Sequence, residues 1–420
     1  MRRIAGFAAL LALAVASPAA AQIDLFSKDT LSGVADLRLT AANGEKGWIR
    51  KNGFGKTRAS GGGDDFAIRP SLAEADLVWR PSLSWNLGGT VVGQYQPDQI
   101  KPLGVAEAFV TYRPTPTGPL RQQIRAGLYY PAISQEHTAG AWLVADSITP
   151  SAINSWVGEE IKVVGAEYSI TRAFENGQEI GATLGAFQEN DTSGTLLSMR
   201  GWALHDLKST VGGDFPLPAM SPFMRNRQAP ITTPVLELDK RVGFYARADW
   251  RPVGNVQLNA FYYDNFGDKI SMVGSVPQDK QWSWDTRFWN LGASVKLSDR
   301  MRLKSQAMKG VTLMGFGTPK VWIDVDYQSA YLLLQRSYGD HALTTRFDYF
   351  EITDNSNKAV DNQAEHGAAL MAAWRQTLSA HLQWLIEAQQ VWSTRSDRTR
   401  FGIAPSQAQT VLSSALRLSF

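Results

Sequence analysis

Six arginines, Arg38, Arg121, Arg125, Arg247, Arg346 and Arg375, and seven acids, Asp36, Glu74, Asp76, Glu107, Asp324, Asp326 and Asp348, fall in stretches where every second residue is apolar or small. On a β-strand that spacing sends the charges to one face. Bases set against acids across a narrow space create a transverse field, which orients dipolar solutes and disfavours bulky apolar ones. The alternative is that each charge is paired with a neighbour and merely solvated. Glu136, His137, Asp146 and Glu159 lie in residues 131–159, where the alternation stops, and the acids among them would add to the negative side of such a field.

Covalent or metal chemistry finds little to build on. The chain has no Cys. Its five histidines, His137, His205, His341, His366 and His381, match neither H-E-x-x-H nor any other metal spacing, and G-x-S-x-G is missing. Glu136-His137 and Glu365-His366 are adjacent pairs, which a strand points to opposite faces. We expect no catalytic residue, no metal and no cofactor, hence no enzyme. A lipase or protease site assembled from distant loops stays as an alternative.

The elements that must position these charges are strands. Gln407–Phe420 alternates Leu412, Leu416, Leu418 and Phe420 against Ser413, Arg417 and Ser419, the pattern of a strand between two solvents. An apolar edge strand invites pairing, and a closed barrel removes the edge. At the other end Arg2 and Arg3, the apolar run 4–15 and Ala19-Ala20-Ala21 form a signal peptide over residues 1–21. Removing its two arginines leaves 40 bases against 39 acids, so no net charge calls for a nucleic-acid partner. The 14 Trp, 12 Tyr and 18 Phe suit a barrel with aromatic borders.

Residues 22–420 then read as one antiparallel, all-β barrel. Seven alternating stretches precede Glu189 and nine follow Lys240, with 190–240 as one long outer loop. Sixteen strands put every short turn, such as Pro81, Pro114–Pro119 and Pro252–Gly254, on one side and every long connection on the other. Thr195–Leu204 with a hidden partner would make eighteen. Gly61-Gly62-Gly63 precedes a strand, not a helix, so a surface loop is expected there and not a phosphate cradle. Sixteen strands are wide enough to leave an aqueous channel.

The terminal strand ending in Phe420 resembles that of bacterial outer-membrane β-barrels, where this ending is read by the barrel-assembly machinery. Signal peptide, sixteen candidate strands and terminal Phe together resemble the Gram-negative porins over the whole mature length. The arginine-lined bore loosely resembles their phosphate-selective type. The resemblance implies a homotrimer in outer-membrane lipid and an in-folded constriction loop at 131–159. It also implies passive diffusion of small hydrophilic solutes or ions. With Arg80, Arg113, Arg241, Arg251, Arg302, Lys304 and Arg417 also read as inward, against only Asp249 and Glu387 as further acids, inward bases outnumber acids thirteen to nine, which adds at most a mild anion preference. A substrate-specific channel for phosphate, sugar or carboxylate is the alternative.

Overall fold

The structure is a computed structural model that describes residues 23–50, 53–317, 321–356 and 362–420. The expected signal peptide lies outside the described residues. Sixteen strands form a closed barrel in which each neighbours the next in sequence. They are β1 Leu31–Gly44, β2 Gly63–Trp79, β3 Leu87–Tyr95, β4 Leu103–Tyr112, β5 Leu120–Tyr129, β6 Val163–Ala173, β7 Glu179–Gln188 and β8 Gly243–Arg251, followed by β9 Val256–Asp264, β10 Asp285–Ser298, β11 Met301–Met314, β12 Ile323–Tyr338, β13 His341–Asp354, β14 Glu365–Ser379, β15 Leu382–Arg395 and β16 Ser406–Ser419. β16 runs antiparallel to β1, with Ala35 opposite Leu418 and Ala41 opposite Leu412, and this pairing closes the cylinder. Each of the sixteen alternating stretches became a strand. The eighteen-strand alternative fails because Thr195–Arg200 is a helix.

The walls are built inside out. On β13 Ala342, Thr344, Arg346, Asp348 and Phe350 are buried, while Leu343, Thr345, Phe347 and Tyr349 between them are exposed. Arg346 is 2% exposed and Phe347 48%. A one-residue slip would exchange these sets, so the alternation fixes the register.

The interior differs from an open channel. Parts of three long connections fold into it, from residues 45–50 and 53–62, from 130–162 and from 189–210. The helix α1, Ala152–Glu160, starts at Ser151, whose Oγ accepts the Asn154 N–H. α1 leaves β5 yet packs against β12 and β13, so it crosses the bore. The helix α2, Thr195–Arg200, follows Gly194, whose φ is 105° and whose missing Cβ leaves room for the Thr312 side chain. Residues 190–240, expected as one outer loop, send 190–210 inward, where nearly every residue is buried. Trp48, Trp156 and Trp202, one from each connection, are fully buried in the apolar cluster this creates. Burying an indole of 150–250 Å² removes about 4–6 kcal/mol of unfavourable hydration by area, enough to hold a loop inside a polar bore.

Gly185 faces Tyr245 across the β7–β8 pair, and a Cβ there would overlap its ring. The Tyr245 hydroxyl bonds Glu167 at 2.6 Å and Tyr129 at 3.1 Å. Gly185→Val is therefore expected to unseat Tyr245 and cost about 1–3 kcal/mol. The melting temperature in detergent of the heat-modifiable folded form should fall; an unchanged value would contradict this packing.

Candidate functional site

The predicted charges meet, but mostly to hold the in-folded segments. Arg346 donates to Asp348 at 2.7 Å, to Glu136 at 3.0 Å, and to the carbonyls of Thr149 at 2.7 Å and Pro150 at 2.9 Å. Glu136 also accepts from the Ser151 N–H at 2.9 Å and from Asn154 Nδ2 at 2.5 Å. Further along the same stretch Glu387 accepts the Ile148 N–H at 2.7 Å, and Lys304 pairs with Asp146 at 2.7 Å. Arg375 donates to the Ala145 carbonyl and Arg417 to that of Val144, both at 3.1 Å. The wall thus grips residues 144–151 side chain by side chain.

A second cluster hangs on the 190–240 segment. Arg38 binds Asp36 at 3.0 Å and Asp206 at 2.7 Å, and Arg58 binds Asp206 at 2.8 Å and Asp98 at 2.7 Å. Lys208 pairs with Glu74, which also accepts from Gln94 at 2.8 Å, and lies 3.9 Å from Asp76. Burial alone would raise the Asp206 carboxyl, but the charges of Arg38 and Arg58 outweigh it and hold it well below the usual carboxylate range. Glu159 faces other in-folded residues, with Arg200 at 2.5 Å and His205 at 2.7 Å. Their charges overcome burial and lower its pKa. Lys56 is pushed down to about 8 by burial, against the pull of Glu365.

Other predicted residues stand apart. Arg121 is exposed at the short-turn rim, paired with Glu179, which also binds Arg251 at 2.7 Å. Arg125 pairs with Glu167 at 2.9 Å and lies 4.0 Å over the Tyr129 ring. Glu107 is buried and meets the Tyr130 N–H at 3.5 Å. Arg247 pairs with Asp249 on its own strand at 2.6 Å. His137 stacks on Trp142 at 3.5 Å and bonds Ser134 at 2.8 Å. Ala106 is buried against Val78, Val92 and Leu143 beside a register shift in β4.

Asp324 and Asp326 are corrections: they face outward. On β12 the buried positions are Val325, Tyr327, Ser329, Tyr331 and Leu333. Tyr327 packs edge-on against Trp156 of α1 at 5.2 Å. The rule that charges point inward inverts where an apolar plug covers the wall. Nothing in the local pattern distinguishes that plug from water.

Two cavities remain along the β16–β1–β2 wall. The outer one, about 160 Å³, is lined by Arg38, Arg50, Arg58 and Arg69 against Asp98 and Asp206. The inner one, about 260 Å³, is lined by Arg375 and Arg417, with Gln383, Ser32 and Ser419, and by no acidic side chain. Asp36 lies between them, bound to Arg38 of the outer cavity at 3.0 Å and to Arg417 of the inner at 3.3 Å. Arg58, Arg69, Asp98, Asp206 and Lys208 escaped the sequence reading. Arg69 was legible, because Ala67, Arg69 and Ser71 alternate with Phe66, Ile68, Pro70 and Leu72; Pro70 hid it by suggesting a strand start. Arg58, Asp98, Asp206 and Lys208 sit in irregular segments that carry no periodic signal. Among the described residues Asp191, Glu237 and Asp239 also gather, but backbone N–H groups already supply partners, Glu189 to Glu237 at 3.0 Å and Asp239 to Asp191 at 3.1 Å.

Asp206→Asn should loosen residues 200–210 by about 3 kcal/mol, toward the low end for a broken buried pair, since Arg38 keeps Asp36 and Arg58 keeps Asp98. A carboxyl held below its ordinary value contributes stability that is present above that value and lost only as pH falls through the lower folded one. Hydrogen exchange at pH 4 should therefore find this segment protected in the parent chain and open in the variant. Equal protection in both would refute the anchoring role.

No family model matches the sequence, and no curated protein matches it either. Solved structures do. The outer membrane channel DcaP of Acinetobacter baumannii superposes with a TM-score of 0.55 at 13% identity, covering 94% of this chain and 99% of that one. The anion-selective porin from Comamonas acidovorans gives 0.52 at 13% identity, with coverage of 93% and 99%. A loop L8 deletion mutant of OmpT, an outer membrane protein of Vibrio cholerae, gives 0.52 at 8% identity, with the same coverage. At these identities the likeness is one of fold, and the fold is that of the sixteen-stranded outer-membrane porins.

Proposed function

We propose that the chain is an outer-membrane channel for passive diffusion of small hydrophilic solutes and ions along the β16–β1–β2 wall, mildly selective for anions and assembled as a homotrimer. In this reading residues 1–21 are a signal peptide and 131–159 the constriction loop. One observation carries it: the outer cavity sets four arginines against two acidic side chains, and the inner sets two arginines against no acidic side chain. An exposed belt of Leu343, Phe347, Leu370, Leu412 and Leu416 supplies a surface that hydrocarbon covers. His205, buried beside Glu159, uses its Nδ1 to accept the Leu207 N–H at 3.1 Å, so this histidine has no nitrogen left for a nucleophile.

Reversal potentials across a salt gradient in planar bilayers test the reading, and strong cation selectivity would overturn it. Arg69 is exposed in the outer cavity and forms no ion pair among the described residues. Arg69→Glu changes the local charge by two; about 10 Å away in water that is worth about 0.8 kcal/mol before screening, so the anion-to-cation permeability ratio should fall about two- to four-fold.

A further inference from the structure

We propose that a third cavity, at the short-turn mouth, binds a nucleoside monophosphate: a flat base joined through a sugar to a phosphate dianion. The proposal deepens the channel reading and rests on it for passage, but binding can be measured without conduction. The cavity, about 450 Å³, lies along the β2–β5 wall beside the turn that joins β2 to β3. Three arginines line it, Arg80, Arg113 and Arg125, and no acidic side chain does.

Two of these three charges are unanswered. Arg125 pairs with Glu167 at 2.9 Å. Arg80 and Arg113 are exposed, and neither forms an ion pair among the described residues. Arg80 donates to the Ser32 hydroxyl at 3.3 Å, and Arg113 donates from its Nε to Gln123 at 2.8 Å. Both partners are neutral. Asp24 comes close, since its backbone pairs with that of Ser82, but its carboxylate accepts from the Ser27 N–H at 3.1 Å and the Ser27 hydroxyl at 2.6 Å. A phosphomonoester carries close to two negative charges near neutral pH and three acceptor oxygens, which suits two free guanidinium groups.

The rest of the lining selects what the phosphate is attached to. Trp85 sits in the β2–β3 turn and is 89% exposed, although it borders this cavity. An indole left in water beside unpaired cations offers a flat face on which a base can stack. Phe109, the other ring of the lining, is already engaged: it meets Tyr129 edge-on at 6.2 Å and lies under Arg125 at 5.2 Å. Asn86, Thr90 and Gln123 supply amide and hydroxyl groups, the partners that sugar hydroxyls need. Gly88 adds no side chain, and a Cβ there would meet only the Pro81 carbonyl, at 3.5 Å, so the space stays open.

Calorimetric titration of the full chain in detergent tests this with three probes: adenosine monophosphate, adenosine and inorganic phosphate. The nucleotide is expected to saturate one site per chain, with each of the other two at least about ten-fold weaker. Trp85→Ala should weaken the nucleotide about five- to ten-fold and leave phosphate unchanged, because only the base meets the ring. Arg113→Gln should weaken both, whereas Arg300→Gln, in another exposed turn, should weaken neither. Trp85 and Arg113 are exposed, so both variants are expected to fold. Adenosine or phosphate binding as tightly as the nucleotide, or full nucleotide affinity in either variant, overturns the site. A chain that binds the nucleotide but leaves bilayers impermeable sinks the channel reading and spares the site.

Discussion

A barrel wall that turns most of its apolar residues outward leaves mainly polar and charged side chains for its interior, and those that are buried there need partners. Arg346 meets this requirement in full, with two carboxylates and two carbonyls around one buried guanidinium. Three of these four partners, Glu136 and the carbonyls of Thr149 and Pro150, come from a segment of the chain that is not wall at all. The inside-out alternation therefore demands the in-folded loops as much as it tolerates them. Without residues 130–162 the inner faces of β12 to β15 would present Tyr327, Tyr331 and Leu333 to solvent and leave Asp348 and Glu387 with fewer partners.

Buried ion pairs are weak contributors to net stability, because desolvation offsets most of the attraction. Breaking one is costly, however, and that asymmetry gives position. Asp206 cannot leave Arg38 and Arg58 without exposing all three to an unfavourable exchange. The apolar cluster around Trp48, Trp156 and Trp202 supplies the driving force, and the charge pairs decide where each loop settles.

The strands were legible because two solvents impose a strict period of two. Sixteen stretches, the sorting of short and long connections and the inward set on β1, β2 and β13 all follow from it. The loops follow a different rule. Trp156 in α1 and Trp202 just after α2 are apolar side chains facing an interior that the alternation treats as water, and their destination depends on strands far away in sequence. For that reason Arg346 and Glu136 were both recognisable as inward, yet their mutual contact was not. Asp324 and Asp326 were misassigned by the same logic, since they sit where the plug makes the inside greasy. His205 and Lys208 lie in the irregular 201–242 stretch, which offers no period to read.

Both cavities lean on the junction between β16 and β1, the pairing that joins the chain's two ends. Arg417 and Ser413 come from the strand synthesised last, Arg38 and Ser32 from the one synthesised first. During biogenesis neither cavity has a complete wall until β16 pairs with β1. A partly assembled molecule would lack the guanidinium that grips Val144, so seating of residues 144–151 is kinetically tied to sealing of the cylinder.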